Sequence, residues 1–395
     1  MSTFRLNQLR LDRMRQAMEA AHLDALVLRL PENVLLLSGY WPMLGASTLV
    51  FPLDGRPQIL VPEYYAVEAS GSLWDADARW FRFGVLGARD PMVEMSGFLA
   101  DVSGGKGWKR IGYEANFQMM APAWQTSEIL IPSENTRAAY AASLAGCELV
   151  DASALIQHER RRKTSYEAEK LRITSEISCI GMEAFQKMVG VGVSGIELVA
   201  AVEAEIMARG IGYKGAQRVR GYAQVATGPD ESSIAFRMNE ISTTRRLKHG
   251  DVALLELGVV ADGFWADRTR VRVAGQPTDE QARVFEVLVA AQEAGCAALK
   301  PGVTGAYVDE VGRAIIRDAG LESKFPHITG HGLGFGYHEA SPKLAPGSAD
   351  VMEEGFFVSV EPGIYYQPVG GFRLEDDVLI TADGAEVLGP FTKEL

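Results

Sequence analysis

The sequence is poor in cysteine, with only Cys147, Cys179 and Cys296 among 395 residues. An odd number of thiols, far apart along the chain, builds neither a disulfide framework nor a zinc cluster. It suits free thiols in a reducing cytoplasm, the expected location. The chain also lacks any apolar run of the ~18–20 residues needed to cross a bilayer. Residues 1–13 show no continuous apolar segment behind their basic residues, so a secretory signal is not expected. Instead Leu11, Met14, Met18 and Ala21 recur at helical spacing and predict an amphipathic first helix. Basic stripes are missing too. A formal net charge of −12 argues against nucleic acid and against anionic membrane as partners. No low-complexity tract or short-period repeat interrupts the chain.

A globular chain of this length exceeds one ordinary core, which predicts two domains, 1–158 and 159–395. In the first, Ala25–Arg29, Val34–Ser38, Thr48–Pro52 and Gln58–Pro62 read as strands with helical patterns between some of them, hence an α/β domain. The boundary falls near the basic run Arg160-Arg161-Arg162-Lys163, expected as a solvated linker or a contact to acidic surface. Thr164-Ser-Tyr-Glu167 is a capping box that opens a helix reaching about residue 189. Further helices are expected around 194–209, 277–299 and 304–319. Strand-like runs cover 222–226, 252–260, 263–273, 356–366 and 372–381. Several follow one another without an intervening helix, which predicts antiparallel pairing and an α+β second domain.

That second domain carries the groups with chemistry. Val252–Val260 and Gly263–Val273 read as a hairpin turning at Asp262-Gly263. Folding there brings Glu256 and Asp267 to roughly facing positions, where two carboxylates repel unless a cation lies between them. His331 stands among glycines in Gly330-His-Gly-Leu-Gly-Phe-Gly336, and His338-Glu339 follows. Glu361 lies in one strand-like run and Glu375, after Arg373, in another. A lone buried glutamate is usually explained by a salt bridge, and a lone histidine is usually no ligand. Five such groups in apolar or glycine-rich runs fit a divalent cation, which takes imidazole and carboxylate together.

With these motifs in place, the chain resembles the pita-bread superfamily of aminopeptidase P, prolidase, methionine aminopeptidase and creatinase. Pro31-Glu-Asn33-Val-Leu-Leu-Leu-Ser38-Gly39-Tyr40 is similar to the creatinase/prolidase N-domain signature. The region from about 160 onward matches the pita-bread domain in motif order and spacing. The resemblance implies an α+β C-terminal pita-bread domain preceded by a smaller α/β creatinase/prolidase-type domain. It implies metal ligands at Glu256, Asp267, His331, Glu361 and Glu375, holding two ions of manganese, cobalt, zinc or iron. Glu361 would also handle the proton of the attacking water. His338 would contact the substrate carbonyl or leaving group, His327 would lie on the substrate side, and Arg373 would support the site beside Glu375. Relatives are commonly homodimers in which one subunit's N-terminal domain caps the other's site, with Tyr40 and Trp41 as lid candidates.

Two positions depart from the family pattern. Glu256 stands where aspartate is usual, which shifts the carboxylate by ~1.5 Å against a metal–oxygen tolerance of ~0.2 Å. Asn239 falls nearest to the place of an upstream catalytic histidine; it can hydrogen-bond to substrate but cannot titrate. The leading expectation is a metal-dependent hydrolase that cleaves an amide bond, an Xaa-Pro aminopeptidase or dipeptidase acting on small peptides. The alternatives are a creatinase-like or otherwise divergent C–N hydrolase or lyase of a small metabolite, with an altered or single-metal site, and a non-catalytic binding module.

Overall fold

The computed structural model describes residues 7–42, 46–116, 133–236 and 243–395. The chain divides into two compact units, residues 1–160 and 161–395.

The first unit contains six strands: β1 (Ala25–Leu28), β2 (Thr48–Pro52), β3 (Gln58–Pro62), β4 (Asp77–Phe81), β5 (Arg110–Tyr113) and β6 (Glu148–Asp151). They form one mixed sheet in the order β4-β3-β2-β1-β5-β6. The helix Gln8–Ala20 buries Leu11, Met14 and Met18, the face its periodicity predicts. Val34–Ser38, expected as a strand, lies instead in the helix Pro31–Ser38, with Pro31 in its first turn and Gly39 closing it at φ 76°. A fully apolar run has no period to separate a buried strand from a buried helix, and the flanking proline and glycine decide it.

The second unit adds β7 (Val219–Thr227), β8 (Val252–Ala261), β9 (Phe264–Val273), β10 (Gly330–Gly332), β11 (Glu339–Leu344), β12 (Phe357–Val360), β13 (Gly363–Tyr366), β14 (Gly370–Arg373), β15 (Asp376–Ile380) and β16 (Ala385–Val387). They form an antiparallel β7-β8-β9 sheet, a five-stranded sheet in the order β11-β10-β12-β15-β16, and the β13-β14 pair. The helices fall at Ser165–Met188, Gly195–Glu205, Asp279–Ala298 and Gly305–Asp318. The first opens on the complete Thr164/Glu167 capping box. The first two of these helices pack with one face of β8, where Leu255, Leu257 and Val259 point. The last two pack near Val252, Leu254, Val271 and Val273 on the opposite face. Alternation along β8 and β9 therefore sets Glu256 and Asp267 on that second face.

Two expectations are refined. The basic run is not a solvated linker but follows the other expectation, contact to acidic groups: Arg161, Arg162 and Lys163 lie 3.8, 3.6 and 3.8 Å from Asp350, Glu353 and Glu339, and Arg160 and Lys163 are buried. The runs 356–366 and 372–381 are not single strands, because each is interrupted. The hairpin breaks between β12 and β13 on one side and between β14 and β15 on the other, and Glu361 and Glu375 occupy the breaks.

Candidate metal centre

At the tip of the β8–β9 hairpin, Asp262 and Gly263 both take positive φ, 51° and 90°. Ala261 pairs with Phe264 across that turn, and the register then puts Glu256 opposite Thr269 and Asp267 opposite Gly258. The two carboxylates are thus diagonal neighbours on one face rather than directly opposed. In the second hairpin, Val360 pairs with Asp376 below the break and Gly363 with Arg373 above it. That register leaves Glu361 facing Glu375 across the gap. Their freed backbone N–H groups bond elsewhere: Glu361 N donates to Thr329 O at 2.7 Å and Glu375 N to Thr269 O at 3.2 Å. The interruption therefore ties β9, the approach to β10 and the broken hairpin around one point.

His331 enters that point from β10. Its Nδ1 bonds the Gly332 carbonyl at 2.9 Å, which leaves Nε2 aimed inward. Nε2 lies 3.3 Å from Glu361 Oε1 and 3.7 Å from Asp267 Oδ2. Gly330 is obligatory beside it, since a Cβ there would collide with the Ser359 carbonyl. His338 precedes β11, with Nε2 3.7 Å from the same Asp267 oxygen and its ring centroid 4.4 Å from that of His331. Two groups of three possible ligand atoms result, Asp267/His331/His338 and His331/Glu361/Glu375, each within 4.8 Å.

The electrostatics of these groups ask for a cation. Burial, reinforced by Glu375 and Glu361, pushes the Asp267 carboxyl well above its ordinary range. Burial and Glu361 do the same to Glu375. At His331 burial opposes protonation, but Glu361 outweighs it and the pKa rises. Burial and the neighbouring His331 hold His338 neutral, its pKa well below the usual value. Among the described residues, Asp267 Oδ1, His331 Nε2, His338 Nδ1 and Glu375 Oε1 are buried without a hydrogen-bond partner. Buried polar atoms are seldom left so. All four belong to residues of the two groups above, whose carboxylates and imidazoles make a donor set that a divalent ion fits.

The remaining predicted residues take different places. Glu256 is buried on the same wall but joins neither group: its Oε1 accepts from Tyr337 Oη at 3.1 Å, and its Oε2 pairs with Arg373 Nη2. Arg373 also donates to Thr269 Oγ1 at 3.1 Å and to Tyr365 Oη at 3.0 Å. His327 has both ring nitrogens engaged, with Ile328 O at 2.8 Å and Tyr365 Oη at 3.0 Å. Through Tyr365 it is linked to Arg373. Tyr40 has a fully buried ring, which does not suit the expected lid, whereas Trp41 is half-buried. Asn239 lies outside the described residues.

Sequence reasoning missed Thr269, Tyr337, Tyr365 and Asp377. Thr269 Oγ1 donates to Glu375 Oε2 at 2.7 Å. Asp377 accepts the Asp267 N–H at 3.1 Å and the Ser175 hydroxyl at 2.9 Å, and burial raises its pKa to about 7. The hairpin register could have found Thr269, directly opposite Glu256; the others are visible only once the strands are packed.

The comparisons with known proteins agree with this geometry. The family model described as metallopeptidase family M24 matches residues 169–382, and the creatinase/prolidase N-terminal domain model matches residues 10–161. The chain is 33% identical to the uncharacterized peptidase YqhT of Bacillus subtilis, over 77% of this chain and 80% of that protein. It is 30% identical to the Xaa-Pro dipeptidase of Lactobacillus delbrueckii subsp. lactis, over 87% of this chain and 85% of the relative. Its structure is similar to that of an Xaa-Pro dipeptidase from Bacillus anthracis, with a TM-score of 0.79, 25% identity, and coverage of 98% of this chain and 99% of the other. A creatinase/prolidase-type domain, a pita-bread domain and a converging set of carboxylates and imidazoles together make the chain a metallohydrolase that belongs to metallopeptidase family M24.

Proposed function

We propose that the protein cleaves the bond preceding proline in small peptides, as an Xaa-Pro dipeptidase or aminopeptidase. The observation that carries this reading is the convergence of Asp267, His331, Glu361 and Glu375, with unpartnered buried atoms on Asp267, His331 and Glu375 that suit a divalent ion. The printed names of the relatives support the choice of a proline-directed substrate.

In this reading Asp267, His331, Glu361 and Glu375 hold manganese, cobalt, zinc or iron. Such an ion, when bound, lowers the pKa of a water molecule toward neutrality and polarises a carbonyl. Glu361 takes up the proton of the attacking water at a carboxylate oxygen. Its side chain is 14% exposed where that of His331 is 2%, so it can pass that proton outward. His338, kept neutral by burial, keeps an N–H to donate to the oxyanion that develops on the substrate carbonyl. Asp377 holds the Asp267 backbone, and Thr269 holds one carboxylate oxygen of Glu375. Three free cysteines agree with a cytoplasmic location. The working form is a homodimer, with the segment around Trp41 near the neighbouring site. Mixed dimers of two inactive variants that regain activity test this arrangement.

A second reading, a C–N hydrolase of a small metabolite, is favoured by one observation: Glu256 is engaged by Arg373 instead of joining the metal-competent groups. Incubation of metal-loaded protein with Xaa-Pro dipeptides and Xaa-Pro-Yaa tripeptides separates the two. Chelator-sensitive release of the residue before proline supports the peptidase. Silence on every proline peptide, with turnover of an amidine, lactam or guanidino compound, supports the alternative.

A further inference from the structure

The β7-β8-β9 sheet turns one face to the metal centre, and its register lays rows of residues across that face. Tyr222, Gly258 and Asp267 form one row, and Gln224, Glu256 and Thr269 form the next. The row beyond them, Ala226, Leu254 and Val271, is apolar and buried. In the middle row two members have partners: Thr269 donates to Glu375, and Glu256 accepts from Tyr337 and Arg373. Gln224 is different. It is 5% exposed, yet among the described residues its Nε2 is buried with no hydrogen-bond partner. An amide donor gives up its bonds to water on burial, and a folded chain seldom leaves one unpaired. A donor held open beside a reaction centre is suited to a bound substrate.

Position sets which part of the substrate reaches it. Gln224 stands directly across from Glu256, a Cβ separation of ~5 Å. It is two strands from Asp267, or ~10 Å across the sheet. A substrate whose reacting carbonyl lies at the metal centre spans that gap with a side chain the length of glutamine. Tyr222, two residues before Gln224 on the same face, stacks on Trp265 at 5.6 Å and gives the path an aromatic flank. Charge sets the chemistry of the tip. A carboxylate there would meet Glu256 and be repelled. An ammonium offers Nε2 no acceptor. A carboxamide suits both neighbours, because its oxygen accepts from Gln224 and its N–H groups face the Glu256 carboxylate.

We infer that Gln224 is a specificity-determining residue that selects a neutral carboxamide side chain, glutamine above all, on the residue before the scissile bond. The inference rests on the peptidase reading and names its substrate class.

The test compares side chains of matched length. Metal-loaded protein is given the dipeptides Gln-Pro, Met-Pro and Glu-Pro, and kcat/KM is measured for each. Gln-Pro should exceed Met-Pro by roughly five- to tenfold, the worth of one hydrogen bond, with Glu-Pro the poorest. Q224M removes the donor at nearly constant volume and should bring the Gln-Pro to Met-Pro ratio to one or below. A wild type that cleaves Met-Pro as well as Gln-Pro overturns the inference and leaves the peptidase reading intact. So does an equal fall on all three peptides in Q224M, which marks a contact to the peptide backbone or a structural role. Where no proline peptide is cleaved, the dissociation constants of the same peptides are measured by isothermal titration calorimetry. Tighter binding of Gln-Pro that Q224M abolishes then overturns the peptidase reading and keeps the role of Gln224. Equal binding without cleavage overturns both. The wild-type ratio decides the matter even where Q224M fails to fold.

Discussion

Lys163 sits where the sequence suggests a solvated basic run, yet its side chain and that of Glu339 are each 1% exposed, with Nζ 3.8 Å from the carboxylate. Glu339 directly follows His338, and its Oε1 accepts the backbone N–H groups of Phe335 at 3.2 Å and Gly336 at 3.0 Å. Lys163 also lies over the Phe335 ring, 5.6 Å from its centroid. The pair thus fixes the glycine-rich loop that aims His338 at Asp267. Lys163→Met keeps most of the volume but takes the ammonium away from a buried carboxylate, a loss of roughly 3–5 kcal/mol. In a unit of this size each kcal/mol moves Tm by about 2–4 °C, so the variant should melt on the order of 10 °C lower by calorimetry. The double variant Lys163→Met/Glu339→Gln removes the stranded charge, and the introduced amide oxygen still accepts from the loop. It should recover a large part of the loss. A single variant within about 1 kcal/mol of wild type, or two losses that simply add, would refute the reasoning.

Other outcomes follow from the same geometry. Stripping metal with a chelator should lower Tm relative to protein held at about a hundred times the dissociation constant, where binding contributes ~2.7 kcal/mol; identical melting curves would contradict a resident ion. His338→Ala should cut kcat on the best proline peptide by about 10²–10³ with Tm preserved, as loss of an oxyanion donor does; steady-state kinetics with kcat unchanged would remove His338 from the reaction. In the first unit, burial raises the Glu114 carboxyl to about 7, against the opposing bonds from Arg29, Leu30 and Asn33. A raised folded-state pKa means the folded protein binds the extra proton. That stability is present below the ordinary glutamate range and is lost as pH rises through about 7, by about 3 kcal/mol in all. Urea melts at about pH 5 and about pH 8 should show this loss in wild type and a flatter profile in Glu114→Gln; parallel profiles would refute it.

Much of this was legible in the residues. The Thr164/Glu167 capping box, the Asp262-Gly263 turn and the period of β8 and β9 each encode their structure locally, and each formed where expected. His331, Asp267, Glu361 and Glu375 could be picked out because charge and imidazole in apolar or glycine-rich runs are rare without a purpose. The breaks at Glu361-Pro362 and at Leu374-Glu375 were not legible, because both runs are β-forming on either side and only the crossing of β9 pulls the hairpin open. Val34–Ser38 misled because an unbroken apolar run carries no period. The partner of Glu256 was not legible for a different reason. The spacing of Glu256 from Asp267 suits a ligand, and its capture by Arg373 depends on a residue more than a hundred positions away in the chain.

The most direct test of the central claim is the anomalous scattering of crystals grown with manganese, collected near the metal's absorption edge. A peak bounded by His331 Nε2 and the carboxylates of Asp267, Glu361 and Glu375 is the predicted result. A featureless map there, with those acidic groups paired to lysine or arginine instead, would contradict the account.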